Sequence, residues 1–238
     1  MSVFASLVEH LADLLQPLFG AGAATAAIVL FTAFVRLLLH PLSRAAARGQ
    51  KARAALQPRI AELRRKHARN PEKLREAVLD LHARANVSPL SGLAPSLLQA
   101  PAFFLLYHLF SSDTIGGRAN GLLAHRLFAA PLGGRWADAL GHGGPFGDAG
   151  LVYAGVFALV AVVAAFGCHL TKLMTAANPA VPVTGDGQPV PGAGAITRVM
   201  PFLPFLTLVT VAVVPLAAAL YVVTSTTWSV AERAVLHR

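Results

Sequence analysis

The chain has 238 residues, of which 55% are hydrophobic and only 13% are charged. Soluble domains carry about 25% charged residues, so this composition excludes an ordinary soluble globular protein and indicates a membrane protein with several spans. The formal net charge of +9 is concentrated in residues 44–84, which hold twelve of the twenty Lys and Arg residues and four of the eleven acids. The single cysteine, Cys168, excludes an intrachain disulfide and a cysteine-cluster metal site.

Residues 1–20 predict an amphipathic helix that lies in the membrane interface outside the cell, and not a signal peptide. The segment lacks a basic start and contains Glu9 and Asp13, which a signal peptide does not. Its larger apolar residues fall on one helical face. They are Val3, Leu7, Leu11, Leu14, Leu15 and Leu18.

Five apolar segments are long enough to cross a bilayer, for which a helix needs about 20 residues. They are residues 21–43, 89–112, 149–170, 196–213 and 214–233. The last two share one uncharged run, in which Pro215 predicts a tight reversal because proline removes a helix hydrogen bond. A single long, kinked helix is the alternative for this run. The predicted fold class is an all-α membrane protein with five transmembrane helices.

The charges of the connecting segments predict the orientation. The basic segment 44–88 marks the cytoplasmic side, and contact with anionic lipid or ribosomal RNA is a second interpretation of its charge. Residues 113–148 carry three Arg and three Asp, so this neutral loop is placed outside. The Gly/Pro-rich segment 171–195 and the tail 234–238 are then cytoplasmic, and the N-terminus lies outside.

Two apolar series within residues 44–88 predict a helical hairpin. Leu56, Ile60, Leu63 and His67 form one row, and Leu74, Val78, Leu81 and Ala85 form the other. Asn70-Pro71-Glu72 is typical of a helix start, with Asn as the N-cap and Pro at the first helical position. The turn of the hairpin is therefore predicted near Asn70.

Arg36 is the one charged residue of the first span, and it is the best pointer to function. A charge at that depth costs about 2.5–3.5 kcal/mol on insertion scales. No acidic residue lies in another predicted span to pair with it. Two interpretations remain open: a hydrated cavity around the guanidinium, or snorkelling to the nearer interface. The cavity is favoured because helical side chains lean toward the helix N-terminus, which here points away from the cytosol.

Other spans contribute fewer polar candidates. Gln99 and Tyr107 are eight residues apart, about two helical turns, and are predicted to share one face of the second span. Tyr221 and Ser225 are candidates in the fifth span, whereas most Ser and Thr hydroxyls there are expected to bond back to their own backbone. The sequence shows no metal-ligand spacing, P-loop, GxSxG motif or intramembrane pair of acids. We therefore predict no enzyme activity, no cofactor and no metal.

The combination of these parts resembles the YidC/Oxa/Alb membrane protein insertases. The resemblance begins with an arginine-bearing span that ends in Pro41-Leu42 and a basic hairpin that contains Gln57-Pro58. The second span matches at Pro89, Leu90, Gly92, Pro95, Leu97, Gln99, Pro101, Leu106 and Tyr107, and the last two spans match at Met200-Pro201, Pro215, Leu220-Tyr221 and Thr224-Ser225. Ser88, Val222 and Thr226 depart from the family pattern.

The resemblance implies five helices around a hydrophilic groove that is open to the cytosol and to lipid and closed outside. Arg36 would be the positive centre of this groove, and Gln99, Tyr107, Tyr221 and Ser225 would line it. The implied protein is of the compact Gram-positive type, lies in the bacterial plasma membrane, and moves nascent membrane proteins from the cytosol into the bilayer without nucleotide hydrolysis.

The implied partners are nascent membrane proteins, anionic lipids, and the Sec translocon and the ribosome or targeting machinery through the 44–88 hairpin, with no specific nucleic acid. A small polytopic transporter or channel that uses Arg36 as an anion site is the alternative function.

Overall fold

The computed structural model describes residues 2–85, 94–177 and 198–236 and is mostly helical. The helices are α1 Ser2–Phe19, α2 Ala23–Lys66, α3 Pro71–Arg84, α4 Ala94–Ser111, α5 Trp136–Gly143, α6 Asp148–Ala177, α7 Leu206–Val213 and α8 Leu216–Leu236. Three short 3₁₀ helices cover Gly20–Gly22, Gly121–Ala124 and Met200–Phe205.

Two small antiparallel hairpins lie between α4 and α5, and the all-α prediction did not include them. β1 (Thr114–Ile115) pairs with β2 (Arg118–Ala119), and β3 (Arg126–Leu127) pairs with β4 (Ala130–Pro131). Gly116 and Gly117 form the first turn with positive φ angles of 59° and 79°, which suit the tight two-residue turn of a hairpin.

Helix α1 packs against α2 through the small buried residues Ala5, Val8 and Ala12. The apolar face predicted from the sequence lies mostly on its other side. Val3, Leu7, Leu14 and Leu18 are exposed, whereas Leu11 and Leu15 are partly buried against the core. An exposed apolar row on a short helix is suited to lipid contact.

Helix α2 is continuous from Ala23 to Lys66, so the first predicted span and the first arm of the predicted hairpin are one helix. The boundary predicted after residue 43 is not a helix end. The segment that follows is rich in Ala, Arg, Leu and Lys, which are strong helix formers and give the helix no reason to stop. Pro41 and Pro58 remove backbone donors without ending the helix.

Asn70 begins α3 as the sequence pattern predicted. Its side-chain Oδ1 accepts a hydrogen bond of 3.0 Å from the backbone N–H of Lys73, and Pro71 occupies the first helical position. Near the other end of α3, Asp80 accepts a hydrogen bond of 2.8 Å from Arg84 and thereby raises the pKa of the guanidinium. Both contacts stabilise a short helix that is too polar to depend on burial alone.

The contact between α2 and α3 is narrow. Leu56 and Ile60 are buried on α2, as predicted, but the buried residue of α3 is His82. Leu81, which the apolar row predicted for that place, is only partly buried. His82 is accommodated because its Nδ1 lies 2.8 Å from the backbone oxygen of Val78 and is thus satisfied within its own helix.

The C-terminal third contains two helices instead of one long kinked helix. Helix α7 ends at Val213, Val214 is extended, and α8 begins at Leu216, so the break predicted at Pro215 is confirmed. The segment before α7 is a 3₁₀ helix that contains Pro201 and Pro204. Helix α6 continues to Ala177, beyond its predicted end at residue 170. The predicted Gly/Pro-rich loop falls largely on residues 178–197, outside the described residues.

The core lies at one end of the bundle, where the first turns of α2 and α8 and the last turns of α4 meet residues 112–147. We call this region the loop end. Its residues with no exposed surface include Ile28, Leu109, Phe110, Leu122, Leu132, Leu216 and Ala217.

Hydrogen bonds fix the loop to the helix ends. The backbone N–H groups of Leu216 and Ala217 donate to the oxygens of Gly134 and Leu132, at 2.9 and 2.8 Å. These bonds satisfy donors at the start of α8 that have no partner within the helix. The loop end is therefore a packed closure of the bundle.

Candidate functional site

Arg36 lies about 20 Å along α2 from its start at Ala23, and its guanidinium reaches α8. Its Nε donates to Ser225 Oγ at 3.0 Å, and its Nη2 donates both to the backbone oxygen of Ser225 at 3.0 Å and to Ser225 Oγ. Among the described contacts, the partner of this partly buried charge is thus an uncharged residue. Two of the predicted site residues are in direct contact.

Ser225 differs from the hydroxyl residues around it on α8. Thr224, Thr226, Thr227 and Ser229 each donate to the backbone oxygen four residues earlier, at 2.7–3.0 Å. The expectation that most hydroxyls of this span bond back to their own helix is confirmed. Among these hydroxyl residues, and within the contacts that the structure describes, Ser225 alone accepts hydrogen bonds from another helix, and it is almost fully buried.

A second polar contact joins the same two helices. His40 Nδ1 lies 2.5 Å from Glu232 Oε1. The side chain of Glu232 is only 10% exposed, while that of His40 is 35% exposed. His40 follows Arg36 by four residues and Glu232 follows Ser225 by seven, so each pair of positions lies on one face of its helix. We call these four residues the polar seam.

The tyrosines of the site are connected through aromatic residues of α4. Tyr221, one turn before Ser225 on α8, is buried with its ring 5.8 Å from that of Phe103 and 5.9 Å from that of Phe110. Tyr107 stacks on Phe103 at 5.9 Å. The Gln99 side chain lies outside the described residues, although the backbone of α4 passes through that position.

Burial changes along α2 and α8 in the same direction. Helix α2 has buried residues up to Thr32 and none from there to Ala47. Helix α8 is buried through most of its first turns, and after Ser225 its next buried residue is Val230. The polar seam therefore lies where the packed core of the loop end gives way to a loosely covered half of the bundle.

Length and composition identify two membrane-span candidates among the described residues. One lies within Val3–Lys66 and the other is Asp148–Met174, while Met200–Val213 is a shorter apolar helix. Within the described ranges, no group of three His, Cys, Asp or Glu residues is placed to hold a metal ion.

Similarity to known proteins decides the family. Residues 14–238 match the sequence model of the family described as 60Kd inner membrane protein. The chain belongs to the YidC/Oxa/Alb family of membrane protein insertases. The match includes α2 and α8, and hence every residue of the polar seam.

Proteins named membrane protein insertase YidC are among the relatives. The one from Clostridium perfringens is 41% identical over 98 residues, which are 41% of this chain and 41% of the relative. The one from Chloroherpeton thalassium is 34% identical over 104 residues, 44% of this chain and 18% of the relative. The one from Magnetococcus marinus is 41% identical over 81 residues, 34% of this chain and 15% of the relative. The aligned region thus spans less than half the length of each of these YidC proteins.

His40 and Glu232 are the seam residues that the sequence analysis of this YidC/Oxa/Alb chain missed. Glu232 directly follows the uncharged run, which ends at Ala231, and lies within the predicted fifth span of residues 214–233. The expectation that no acidic residue lies in another predicted span was therefore wrong, because Glu232 lies in the fifth span, where it pairs with His40. The helical spacing of His40 from Arg36, four residues, was the available signal.

Proposed function

We propose that the chain is a membrane protein insertase that moves nascent membrane proteins from the cytosol into the bilayer. The observation that carries this proposal is the position of Arg36. The charge lies in the apolar part of α2, is paired with an uncharged serine, and belongs to a stretch that has no buried residue. Family membership and the names of the relatives support the same function.

The polar segment of a substrate would reach Arg36 from the loosely covered half of the bundle. An acidic residue of the substrate forms charge-assisted hydrogen bonds, which are roughly twice as strong as those between neutral groups. It therefore replaces Ser225 as the partner of the guanidinium. Gln99, Tyr107 and Tyr221 would line the rest of the hydrophilic groove, and the packed loop end leaves only a short distance for the polar segment to cross.

Hydrophobic transfer would drive the step without nucleotide hydrolysis. A substrate span of about 20 apolar residues leaves water for lipid. Each buried CH₂ contributes about 0.8 kcal/mol, so the sum exceeds the cost of moving a short polar tail. The substrate span would leave along α4 and α8, since Phe103 and Phe104 of α4 and Val235 of α8 are exposed.

The proposed topology has five spans in the bacterial plasma membrane, with the N-terminus outside and the C-terminus in the cytoplasm. The spans are the first half of α2, α4, α6, the 3₁₀ segment with α7, and α8. Along both α2 and α8 the polar contacts occur in the same order, Arg36–Ser225 before His40–Glu232. The two helices are thus parallel, as the first and fifth spans of such a chain must be.

The hairpin of α2 and α3 would lie in the cytosol. Its excess of basic residues fits anionic lipid headgroups, and its exposed arms would receive substrates from the ribosome, the targeting machinery or the Sec translocon. No specific nucleic acid and no cofactor enters this proposal.

Insertion of a model single-span protein into proteoliposomes that contain only this chain tests the function. With an acidic N-terminal tail on the substrate, we expect Arg36→Ala to lower insertion about tenfold, the loss that corresponds to one charged hydrogen bond. Arg233→Ala is the matched control, because Arg233 is an exposed arginine near the end of α8. Normal insertion by the Arg36→Ala protein would overturn the groove mechanism.

The transporter alternative makes a different prediction in the same vesicles. Uptake of a labelled anion that depends on Arg36, without insertion of the single-span protein, would support an anion site and overturn the insertase proposal. Insertion without anion uptake above that of empty vesicles supports the insertase.

A further inference from the structure

The polar seam connects α2 and α8 along a stretch where α2 has few buried side chains. Helix α2 has no buried residue between Thr32 and Ala47, and this interval contains both Arg36 and His40. Side-chain hydrogen bonds join the two helices in this region, beside partly buried apolar residues such as Val35 and Val222. Polar contacts of this kind exchange partners more readily than an interdigitated apolar core, because an incoming polar chain offers equivalent groups.

Glu232 of α8 contacts His40 of α2, whereas the described hydrogen bonds of Arg36 go to Ser225. A carboxylate with a side chain only 10% exposed is costly unless it is paired. The more exposed His40 leaves one side of the pair accessible from the loosely covered half of the bundle.

The order of the two polar contacts along α2 indicates a role for the His40–Glu232 pair. A chain that enters from the hairpin side meets His40 and Glu232 first, and Arg36 with Ser225 about one turn further along α2. We propose that His40 and Glu232 form a latch, a contact that holds α2 and α8 together at the polar seam until a substrate separates the two helices. This inference rests on the proposed insertase function for its substrate, but the latch itself exists without substrate.

The latch determines which substrates enter readily. A tail with acidic residues gains the bond to Arg36 when the seam opens, and this gain offsets the loss of the His40–Glu232 contact. A tail without acids has no such gain. The pair therefore acts as a specificity-determining element that favours acidic tails, and weakening it reduces that preference.

Pulsed EPR distances in the full chain test the latch without substrate. Spin labels at Leu38→Cys and Val235→Cys report the separation of α2 and α8, because both residues are highly exposed and lie beside the latch. We expect Glu232→Gln to lengthen or broaden this distance. His40→Gln removes the latch from the other helix and should give the same change, which guards against a folding defect of one variant. Asp13→Asn, which removes an exposed carboxylate from α1, should leave the distance unchanged.

Insertion of two matched substrates, one with an acidic tail and one with a neutral tail, completes the test. We expect Glu232→Gln to raise the neutral-to-acidic insertion ratio about threefold, as the weakening of one side-chain hydrogen bond predicts. The exchanged pair, His40→Glu with Glu232→His, should restore both the distance and the ratio. Unchanged distance and ratio in Glu232→Gln, while Arg36→Ala still lowers insertion about tenfold, would overturn the latch and leave the insertase function intact. Insertion that is independent of Arg36 would instead overturn the proposed function.

Discussion

At the scale of single residues, Ser225 and Ser229 provide a direct comparison on one helix. Both are serines of α8, but Ser225 Oγ accepts from Arg36, whereas Ser229 Oγ donates to the backbone of its own helix. We expect Ser225→Ala to lower the free energy of unfolding by about 1–2 kcal/mol, because the guanidinium loses an acceptor and keeps only the backbone oxygen. Ser229→Ala should change it by less than about 0.5 kcal/mol. Thermal unfolding in lipid nanodiscs measures both, and equal losses would contradict the assignment.

Arg36 itself is expected to tolerate lysine only in part. The guanidinium reaches two oxygens of Ser225 from Nε and Nη2, a geometry that a single ammonium does not reproduce. The positive charge, however, is kept. We predict that R36K inserts an acidic-tail substrate about threefold less well than the natural chain and better than R36A, since the positive charge is kept and only the geometry of its hydrogen bonds is weakened. Initial rates of insertion into proteoliposomes at equal protein content decide this, and an R36K rate as low as that of R36A would show that charge alone does not suffice.

At the scale of secondary structure elements, Asn120 connects the loop to the end of α4. The residue is almost fully buried, and its Nδ2 donates to the backbone oxygens of Leu109 at 2.8 Å and Ser112 at 3.0 Å. Asn120→Asp keeps the shape but removes both donors and buries a carboxylate among carbonyl oxygens. We expect a loss of about 2–4 kcal/mol and faster hydrogen exchange at the end of α4. Asp113→Asn, at an exposed loop position, is the control. Equal exchange in the two variants would refute this role.

The elements show what the sequence could determine by itself. Asn70 and Pro215 were sufficient to place a helix start and a helix break, because capping and the missing proline N–H are local effects. The continuation of α2 past residue 43 was missed, since a helix continues through polar residues while a hydropathy run does not. The contact between Arg36 and Ser225 depends on how two helices that are distant in sequence approach each other. The spacing of residues within either helix carries no information on that approach.

At the scale of the whole molecule, α2 and α8 are buried unevenly because their small residues and the loop both occur at the loop end. Ala24 and Ala27 of α2 and Ala217 to Ala219 of α8 allow the backbones to approach closely, and the loop then covers the remaining polar ends. Beyond this region the side chains of α2 are larger and exposed, as at Leu37 and Leu38. The bundle is therefore closed at the loop end, and further along, α2 and α8 are joined by the polar seam. The seam is thus the part of the contact between these helices that a substrate is able to open.

The orientation of the whole molecule follows from the charge of its two connecting regions. Residues 44–84 contain twelve basic and four acidic residues, whereas the loop of residues 113–148 is neutral, so the hairpin is expected inside and the loop outside. Single cysteines at F146C in the loop and R69C in the hairpin turn, both exposed positions, test this orientation with a membrane-impermeant maleimide. We expect labelling of intact cells at F146C, and labelling at R69C only after the membrane is permeabilised. The natural chain is the control, because its Cys168 is buried. Labelling of R69C in intact cells would show that the topology is the reverse of the proposed one, with Arg36 in a groove that opens away from the cytosol.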